Sequence, residues 1–389
     1  MNNSLLIMKF LLFSNNLLDV KLPFKWLLAL SCLLLCSCMS NSVLNVDRVS
    51  FDEVANAEPD VDDISFVVLK SSGDNIISDV SQLKYRNHRF YVFDRQQGIV
   101  VVYNENGDVL GHVKSLGHGH GEYVMPLSFD VDAEGNVFVA DASSGNIYEY
   151  SSPDFNFKQQ IDVGVRFLGL GVINDHEFWI TSYYRSKTLD GKLAYYNAAT
   201  KEFKNVCKPI VKGESSITYN VNWGVYRSDS LLYYYERFSP FFYRVKEKGV
   251  CSDTVMIESS FLPEKRDIKD WMNSSANRRQ SDKIVDANAF YIENDNIYIS
   301  LDYNMITNLW YSASRDAFIK FKSVSDRRIW NLNTMVSTVT DSHYVSMVDI
   351  DRLKDIKKEK LSSFEQEILQ SVEEQGDDSS IVLLLYRLK

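Results

Sequence analysis

The chain has 389 residues, of which 45% are apolar and 24% charged, a composition typical of folded globular proteins. Its net charge is −10, and no run of Lys and Arg provides a basic face. Binding to nucleic acid is therefore not expected, because contacts with phosphates need such a face. Aromatic residues make up 13% of the chain, with 22 Tyr and 22 Phe, and this favours β-strands.

The N-terminal segment has the pattern of a secretion signal. Lys21 and Lys25 precede an apolar run that begins at Trp26. The run is shorter than the ~20 apolar residues that a membrane-spanning helix needs. It ends in Leu-Cys-Ser-Cys at 35–38, which resembles a bacterial lipobox and implies that Cys38 becomes the diacylated first residue of the mature chain. A plain signal peptide with incidental cysteines is the alternative.

The first 63 residues are therefore assigned to two segments outside the folded domain. Residues 1–37 form the lipoprotein signal peptide, and the polar, acidic stretch 38–63 is predicted to be a flexible tether. Cys207 and Cys251 are then the two cysteines left as candidate thiols beyond the tether. An oxidising compartment would permit a disulfide between them, although they fall on strands of different repeats.

A repeated pattern follows the tether. Residues 90–94 (FYVFD) form a buried strand that ends in Asp, and a turn and a second strand at 99–103 follow. Forty-seven residues on, 137–141 (VFVAD) and 147–150 repeat the arrangement. Periods of about 40–50 residues with four short strands each are typical of β-propeller blades.

Weaker copies continue and bring the count to six, with seven left open. Their first recognisable strands begin at residues 177, 231, 296 and 343. The strands at 64–69 and 380–386 lack partners of their own, so a closed ring pairs them in one blade and removes two exposed edges. The sequence thus predicts an all-β fold, a six-bladed propeller of four-stranded antiparallel blades over 64–389.

Two segments interrupt the repeats and are predicted as short helical insertions, near 262–283 and 354–375. The second begins with a capping box of Ser362 and Glu365, and Gly376 provides a stop. Five apolar residues fall on one helical face and are expected to pack against the outside of the propeller: Leu361, Phe364, Ile368, Leu369 and Val372.

A motif in the second repeat resembles a known family. It comprises Gly117, Gly119, Gly121, Glu122 and Tyr123, followed by Pro126, Asp130, Asp132, Gly135, Asn136, Val139 and Asp141. This pattern resembles the NHL/TolB-like six-bladed β-propeller lipoproteins of Bacteroidetes, with His120 where Pro is usual. The resemblance covers 64–165 and implies fold and lipidation, but hardly any activity. Since residues 39–43 lack the acidic residues typical of surface-exported relatives, it also implies an outer membrane lipoprotein at the periplasmic face.

The stretch 116–123 (LGHGHGEY) has several interpretations. Glycines at alternate positions permit a tight crossing between two blades, with Glu122 bonded to backbone amides of the turn. His118, His120 and Glu122 are also candidates for lining a ligand site at the propeller mouth. A metal shared by the two histidines is less favoured, because alternate residues of an extended chain point to opposite sides. A phosphate cradle would need a following helix.

Carboxylates in the repeats suggest two further roles. Asp94 and Asp141 end strands and are expected to accept hydrogen bonds from turn amides. A calcium ion in the central channel would need several oxygen ligands from different blades. Side chains available for it are Asp130, Asp132, Asn174, Asp302 and Asn304, but no sequence pattern places them on one face, and no metal or cofactor is predicted.

Aromatic residues next to charged ones at blade-loop positions are the remaining candidates for ligand binding. They are Tyr184, Arg185, Trp223, Arg237 and Tyr303. Aromatic faces beside Arg or Asp suit sugar rings or peptides, while packing between blades is the structural alternative for each.

No G-x-S-x-G, H-E-x-x-H or P-loop motif is present. The favoured interpretation is a lipid-anchored, non-catalytic module that binds a protein, peptide or glycan at the face bearing the inter-blade loops. The alternative is a metal-dependent hydrolase or lyase with its site in the central channel. A structural subunit of an envelope complex is a third hypothesis.

Overall fold

The computed structural model of the chain describes residues 48–389, apart from 72, 74–75, 182–188, 190–191, 208–209, 213, 215–223, 229, 294, 304–305, 333 and 376–380. The described strands form six sheets, each containing an antiparallel set of four. Among the described residues, no helix has the length and apolarity to cross a membrane.

The strands follow the chain around the ring. The first three are β1 (Arg48–Ser50), β2 (Ala55–Asn56) and β3 (Val61–Leu69). Blade one contains β4 (Gln82–Arg86), β5 (Arg89–Asp94), β6 (Ile99–Asn104) and β7 (Val109–Lys114). Blade two contains β8 (Pro126–Val131), β9 (Val137–Asp141), β10 (Asn146–Ser151) and β11 (Asn156–Asp162). Blade three contains β12 (Gly169–Val172), β13 (Glu177–Thr181), β14 (Leu193–Asn197) and β15 (Glu202–Cys207).

The second half of the ring repeats this order. Blade four contains β16 (Val225–Ser228), β17 (Leu231–Tyr235), β18 (Phe241–Lys246) and β19 (Val250–Glu258). Blade five contains β20 (Asp286–Glu293), β21 (Asn296–Asp302), β22 (Ile306–Ser312) and β23 (Ala317–Phe321). Blade six contains β24 (Val336–Val339), β25 (Tyr344–Val348) and β26 (Ile381–Leu388), and it is completed by β3.

The ring is closed by the two ends of the domain. The innermost strands contact their neighbours in the cyclic order β4, β8, β12, β16, β20, β24 and back to β4. Strand β3 pairs antiparallel with β26, from Leu69 opposite Ile381 to Val61 opposite Leu388. The predicted six-bladed propeller, and the predicted pairing of its first and last β-segments, are therefore confirmed.

Burial along each blade explains why the sequence forms these strands. In β6 the three consecutive valines at 100–102 are fully buried, because the neighbouring blades cover both faces of a middle strand. In the outermost strand β11, exposed residues alternate with less exposed ones, since one face meets water. Continuous apolar runs thus produce the middle strands, and alternating sequences produce the rims.

The N-terminal residues of the described chain form a strap, defined here as residues 48–57. Strand β1 pairs in parallel with β19, and β2 with β23, on the outer edges of blades four and five. Between them Phe51 is fully buried, and its ring centroid lies 5.3 Å from that of Tyr303. Residues 48–57 of the segment assigned to a flexible tether thus lie against the propeller. Its acidic composition concealed Val49 and Phe51, whose burial holds it there.

Both helical insertions are present. Between blades four and five lie α1 (Lys265–Asn273) and α2 (Ser275–Arg279), and between β25 and β26 lie α3 (Ile350–Lys354) and α4 (Ser363–Gln375). The predicted capping box forms, since Ser362 N–H donates to Glu365 Oε2 (2.9 Å) and Glu365 N–H donates to Ser362 Oγ (3.0 Å). The predicted apolar face of α4 packs on the core of blade six. Gly376 lies outside the described residues.

The alternating strand directions define two faces of the ring. Among the residues that the structure describes, the loop face carries the connections between blades within 70–81, 115–125, 163–168, 210–214, 259–285 and 322–335, and the turns between second and third strands. The opposite hairpin face carries the turns between first and second and between third and fourth strands. The predicted ligand-binding residues that the structure describes belong to the loop face: His118, His120, Glu122, Arg237 and Tyr303.

Candidate functional site

The stretch 116–123 on the loop face is a tight turn stabilised by its own residues. Gly117 N–H donates to the Tyr123 carbonyl (3.0 Å), and Gly119 N–H donates to Glu122 Oε2 (2.7 Å). Gly121 has a φ of +78°, and a Cβ there would lie 2.6 Å from the Phe157 ring. The turn therefore needs glycine at 121, and the Glu122 carboxylate accepts an amide hydrogen bond as predicted.

The two histidines of this turn point to separate environments. Both His118 and His120 are exposed, and the His120 ring packs edge-on against Phe157 with centroids 5.0 Å apart. Within the described part of the chain, no three or more His, Cys, Asp or Glu side chains are grouped to hold a metal ion. A ligand-binding role for His118, His120 and Glu122 remains a prediction.

Carboxylates at the ends of second strands anchor the loops of this face. Asp94 accepts hydrogen bonds from the backbone N–H groups of Ser78 (2.9 Å) and Gln97 (3.0 Å). Asp141 accepts them from Val124 (3.0 Å) and Met125 (3.2 Å). Each carboxylate thus holds the connection that enters its blade, as predicted.

These hydrogen bonds also determine the ionisation of Asp94. Burial alone would raise the pKa of this carboxyl, but the hydrogen bonds from Gln97 and Ser78 outweigh burial and lower the pKa to about 2. The charged form is therefore the one that holds the loop.

The anchored loops present an apolar sector, defined here by Ile76, Leu116, Val124 and Met125. These side chains are between 43% and 50% exposed. The turn between β5 and β6 links Ile76 to Leu116, because the Gln97 side-chain amide donates to the Ile76 carbonyl (2.8 Å) and Gly98 lies against Leu116. Val124 and Met125 follow Leu116 in the same connection. Apolar side chains held in water by rigid loops are characteristic of binding surfaces.

Exposed large apolar residues of the described chain are concentrated on the loop face. Seven large hydrophobic residues of the described chain are exposed, and five of them lie in connections of the loop face. The fifth is Trp330, 66% exposed, in the connection that enters blade six. Leu110 and Val250 lie on outermost strands instead.

Side chains of the innermost strands form a charged network across four blades. Lys84 Nζ on β4 lies 2.9 Å from Asp130 Oδ1 on β8. Arg227 on β16 donates from Nε to Asp130 Oδ1 (3.0 Å) and from Nη2 to the Val172 carbonyl (2.6 Å). Val172 N–H on β12 donates to Asp130 Oδ2 (2.7 Å). One carboxylate therefore joins blades one to four.

The electrostatics of this network favour anions over metal cations. Burial alone would raise the pKa of Asp130, but Arg227 and Lys84 hold it well below its usual range. Burial lowers the pKa of Lys84, and the charges of Arg227 and Arg86 lower it further. The charge of Asp130 opposes them and raises the pKa of Lys84. Two cations thus contact one carboxylate and a third, Arg86, acts on Lys84, so Asp130 is a structural clamp with its oxygens already occupied.

The other candidate calcium ligands that the structure describes are not grouped with Asp130 in a cluster that could hold a metal ion. Asp132 Oδ1 accepts from Glu134 N–H (3.0 Å) in a turn of the hairpin face, and Asn174 caps the turn before β13. Asp302 ends β21 on the loop face. Asn304 lies outside the described residues.

The predicted Arg237 belongs to a buried ion cluster beneath the loop face. Its side chain is only 2% exposed, with Nε 3.4 Å from Asp286 Oδ2 and the guanidinium 4.8 Å from the centre of the Phe238 ring. Lys192 Nζ donates to the Arg237 carbonyl (2.9 Å) and lies 3.2 Å from Glu214 Oε1. Tyr184, Arg185 and Trp223 lie outside the described residues.

The predicted Tyr303 lines a cleft beside the strap. The ring packs against Phe51 and against Phe261, with the latter centroid 4.9 Å away. The cleft has a volume of about 790 Å³ and also includes Lys320 and Lys322. Sequence analysis missed these lysines because Lys-Phe-Lys at 320–322 has the alternation of an ordinary strand edge.

The two candidate thiols face one core. Cys207 is buried on β15, Cys251 is half-buried on β19, and both pack in the apolar cluster between blades three and four. They are thiols and are not joined by a disulfide in this structure.

The described strands define this protein as a six-bladed β-propeller whose inter-blade connections lie on one face. Residues 44–387 match the family described as Domain of unknown function (DUF4934), and the chain belongs to that family. No curated protein matches the chain. The resemblance to NHL and TolB-like propellers stays a prediction.

Two solved structures show the same fold. One is from Bacteroides fragilis NCTC 9343, a protein whose name describes it as exported, with a TM-score of 0.69 and 18% identity over 88% of this chain and 98% of that one. The other is a member of the DUF4221 family from Bacteroides vulgatus ATCC 8482, with a TM-score of 0.50 and 9% identity over 85% of this chain and 99% of that one. At such identities the likeness shows the fold alone.

Proposed function

We propose that this propeller is a lipid-anchored, non-catalytic binding module of the cell envelope, and that its apolar sector receives a protein or peptide. The observation that carries the proposal is the clustering of exposed apolar side chains on the loop face. Partner-binding patches on soluble domains have this character, and loops held by a rigid scaffold commonly carry binding functions.

The anchoring of the loops supports the same proposal. Asp94 and Asp141 fix the two connections that carry the sector, so binding does not have to order them. Loops already held in place reduce the conformational entropy lost on association.

The channel gives less support to the alternative of a metal-dependent hydrolase or lyase. Asp130, on the innermost strand of blade two, is neutralised by Lys84 and Arg227, and Arg86 on the innermost strand of blade one adds a further positive charge. A divalent cation would meet net repulsion there.

The N-terminal segment indicates where in the cell envelope the protein would be located. Attachment of lipid at Cys38 would hold the propeller at the outer membrane, on the periplasmic face. The likeness to an exported protein of Bacteroides fragilis supports export of this chain as well. The motif at 117–141 supports a distant relationship with NHL and TolB-like propellers.

The proposed contact surface can be tested by site-specific photo-crosslinking in living cells. The full chain would carry a photoreactive residue at Leu116 or Met125, and in a matched control at Val250, which is 47% exposed on a rim strand. We expect a discrete adduct at 116 and 125 that is absent at 250. The same adducts at all three positions, or none at 116 and 125, would overturn the proposal.

Attachment of lipid is tested separately with Cys38→Ser. The full chain should incorporate labelled fatty acid and sediment with membranes, and the variant should do neither. Labelling of the variant at the level of the full chain would refute anchoring through Cys38 and leave the crosslinking result unaffected.

A further inference from the structure

The cleft beside the strap is separate from the apolar sector. It lies at the outer edge of blade five, between the end of β23 and residues 56–58, which comprise the last residue of β2 and the two that follow it. Its volume of about 790 Å³ is within the ~300–1,000 Å³ range of small-molecule sites. The cleft is therefore large enough for a ligand of one or a few sugar rings.

The cleft carries excess positive charge in an acidic protein. Lys320 Nζ lies 4.6 Å from the centre of the Phe51 ring and donates to the Phe51 carbonyl (3.2 Å). Lys322 Nζ donates to Thr307 Oγ1 (2.6 Å). These hydrogen-bond partners are neutral groups. The Asp52 carboxylate of the strap interacts with the charge of Lys320, and Glu58 is the one carboxylate among the described lining residues.

The two ammonium groups affect each other. Partial burial, and then the charge of Lys320, lower the pKa of Lys322. An anion placed between them would relieve this repulsion.

The remaining lining suits a ring that carries hydroxyl groups. The half-buried Tyr303 ring is supported from behind by Phe51 and Phe261, so it forms a rigid apolar surface. Asn56, Thr307 and Ser323 supply amide and hydroxyl groups around it. Aromatic surface with a few polar groups is the usual composition of such sites.

We infer that this cleft binds an acidic oligosaccharide, with a uronic acid carboxylate between Lys320 and Lys322 and a sugar ring against Tyr303. The inference does not depend on the proposed protein partner, because the cleft and the apolar sector share no residue. It goes beyond that proposal by assigning a second site and a ligand class.

The test is isothermal titration of the purified full chain with three probes: trigalacturonic acid, neutral maltotriose and inorganic phosphate. We expect trigalacturonic acid to bind at least tenfold more tightly than maltotriose, and to lose most of its affinity in high salt, where exposed charges are screened. Phosphate should not compete at equal concentration, because it lacks a ring to contact Tyr303.

Variants test whether binding depends on the two lysines of the cleft or only on the overall charge of the protein. Lys320→Gln and Lys322→Gln should each weaken binding at least tenfold, and Tyr303→Leu should weaken trigalacturonic acid and maltotriose alike. The matched control is Lys265→Gln, an exposed lysine of α1 outside the cleft, which should bind like the unmodified chain. Thermal melts establish that each variant is folded. Since Lys320 also contacts the strap, Lys322→Gln decides the result if Lys320→Gln unfolds.

Three outcomes would overturn the inference. They are equal binding of the neutral and acidic sugars, unchanged binding by the folded Lys322→Gln variant, and full competition by phosphate. Loss of sugar binding should leave the crosslinks at Leu116 intact, so failure of this inference and failure of the proposed function are distinguishable.

Discussion

Replacing Asp130 by Asn should destabilise the propeller strongly, because this carboxylate serves three blades besides its own. The change leaves Arg227 and Lys84 buried near each other without a counter-charge. Removing one partner of a buried ion pair typically costs about 3–5 kcal/mol. We expect the free energy of unfolding to fall by about that amount.

The assay is urea denaturation at pH 7, followed by tryptophan fluorescence. Trp179 is fully buried between blades three and four, where the network passes, so it should report the loss of packing there. Asp108→Asn is the matched control, since it removes a carboxylate from an exposed pair with Lys70 and should change stability little.

A second substitution separates charge from packing. Adding Arg227→Met to Asp130→Asn removes one of the stranded cations, so the double variant should be more stable than Asp130→Asn alone. A loss of less than about 1 kcal/mol for Asp130→Asn, or no recovery in the double variant, would refute the assignment of Asp130 as the clamp of the ring.

Three further predictions concern the loops and the thiols. The pKa of Asp94 falls from 3.8 to about 2 on folding, which corresponds to about 2 kcal/mol of stability that is present above pH 4 and lost as the pH falls towards 2. The stability advantage of the unmodified chain over Asp94→Asn should therefore shrink over that range in denaturation at a series of pH values, and a constant advantage would contradict it. Gly121→Ala should destabilise more than Gly164→Ala in thermal melts. Both glycines have positive φ, but a Cβ at 121 meets the Phe157 ring whereas one at 164 meets nothing within 4 Å; equal losses would argue against the clash. Cys251 should react with maleimide faster than Cys207 in the folded protein, since burial raises the pKa of the Cys207 thiol. Mass spectrometry of the labelled peptides measures both rates, and faster labelling of Cys207 would show that the core between blades three and four opens.

Local repetition made the fold predictable. Strands such as 90–94 and 137–141 end in Asp because the carboxylate accepts hydrogen bonds from a loop of the same repeat. That loop is close to the strand in sequence. The capping box of Ser362 and Glu365 is likewise a short-range pattern. Such features are visible in one sequence because all of their parts are neighbours.

The charged sites were less predictable because their parts are distant in sequence. Asp130 pairs with Arg227 across 97 residues, and no local pattern connects them. Arg237 has aromatic neighbours like a loop-face ligand residue, but Asp286 in the next blade keeps it buried. The cleft could not be predicted without the strap, whose residues form one of its walls. The acidic character of 48–57 concealed Val49 and Phe51, the two apolar side chains that pack the strap against the propeller.

The pairing of β3 with β26 has a consequence for how the protein matures. Strand β3, at the start of the domain, pairs with β26 (Ile381–Leu388) at its end, so the ring cannot close until β26 has been synthesised. Until then two adjacent strands keep unsatisfied backbone groups that invite pairing with another molecule. Truncation of the chain before Ile381 would therefore yield an open, self-associating chain, even though the other five blades keep their strands.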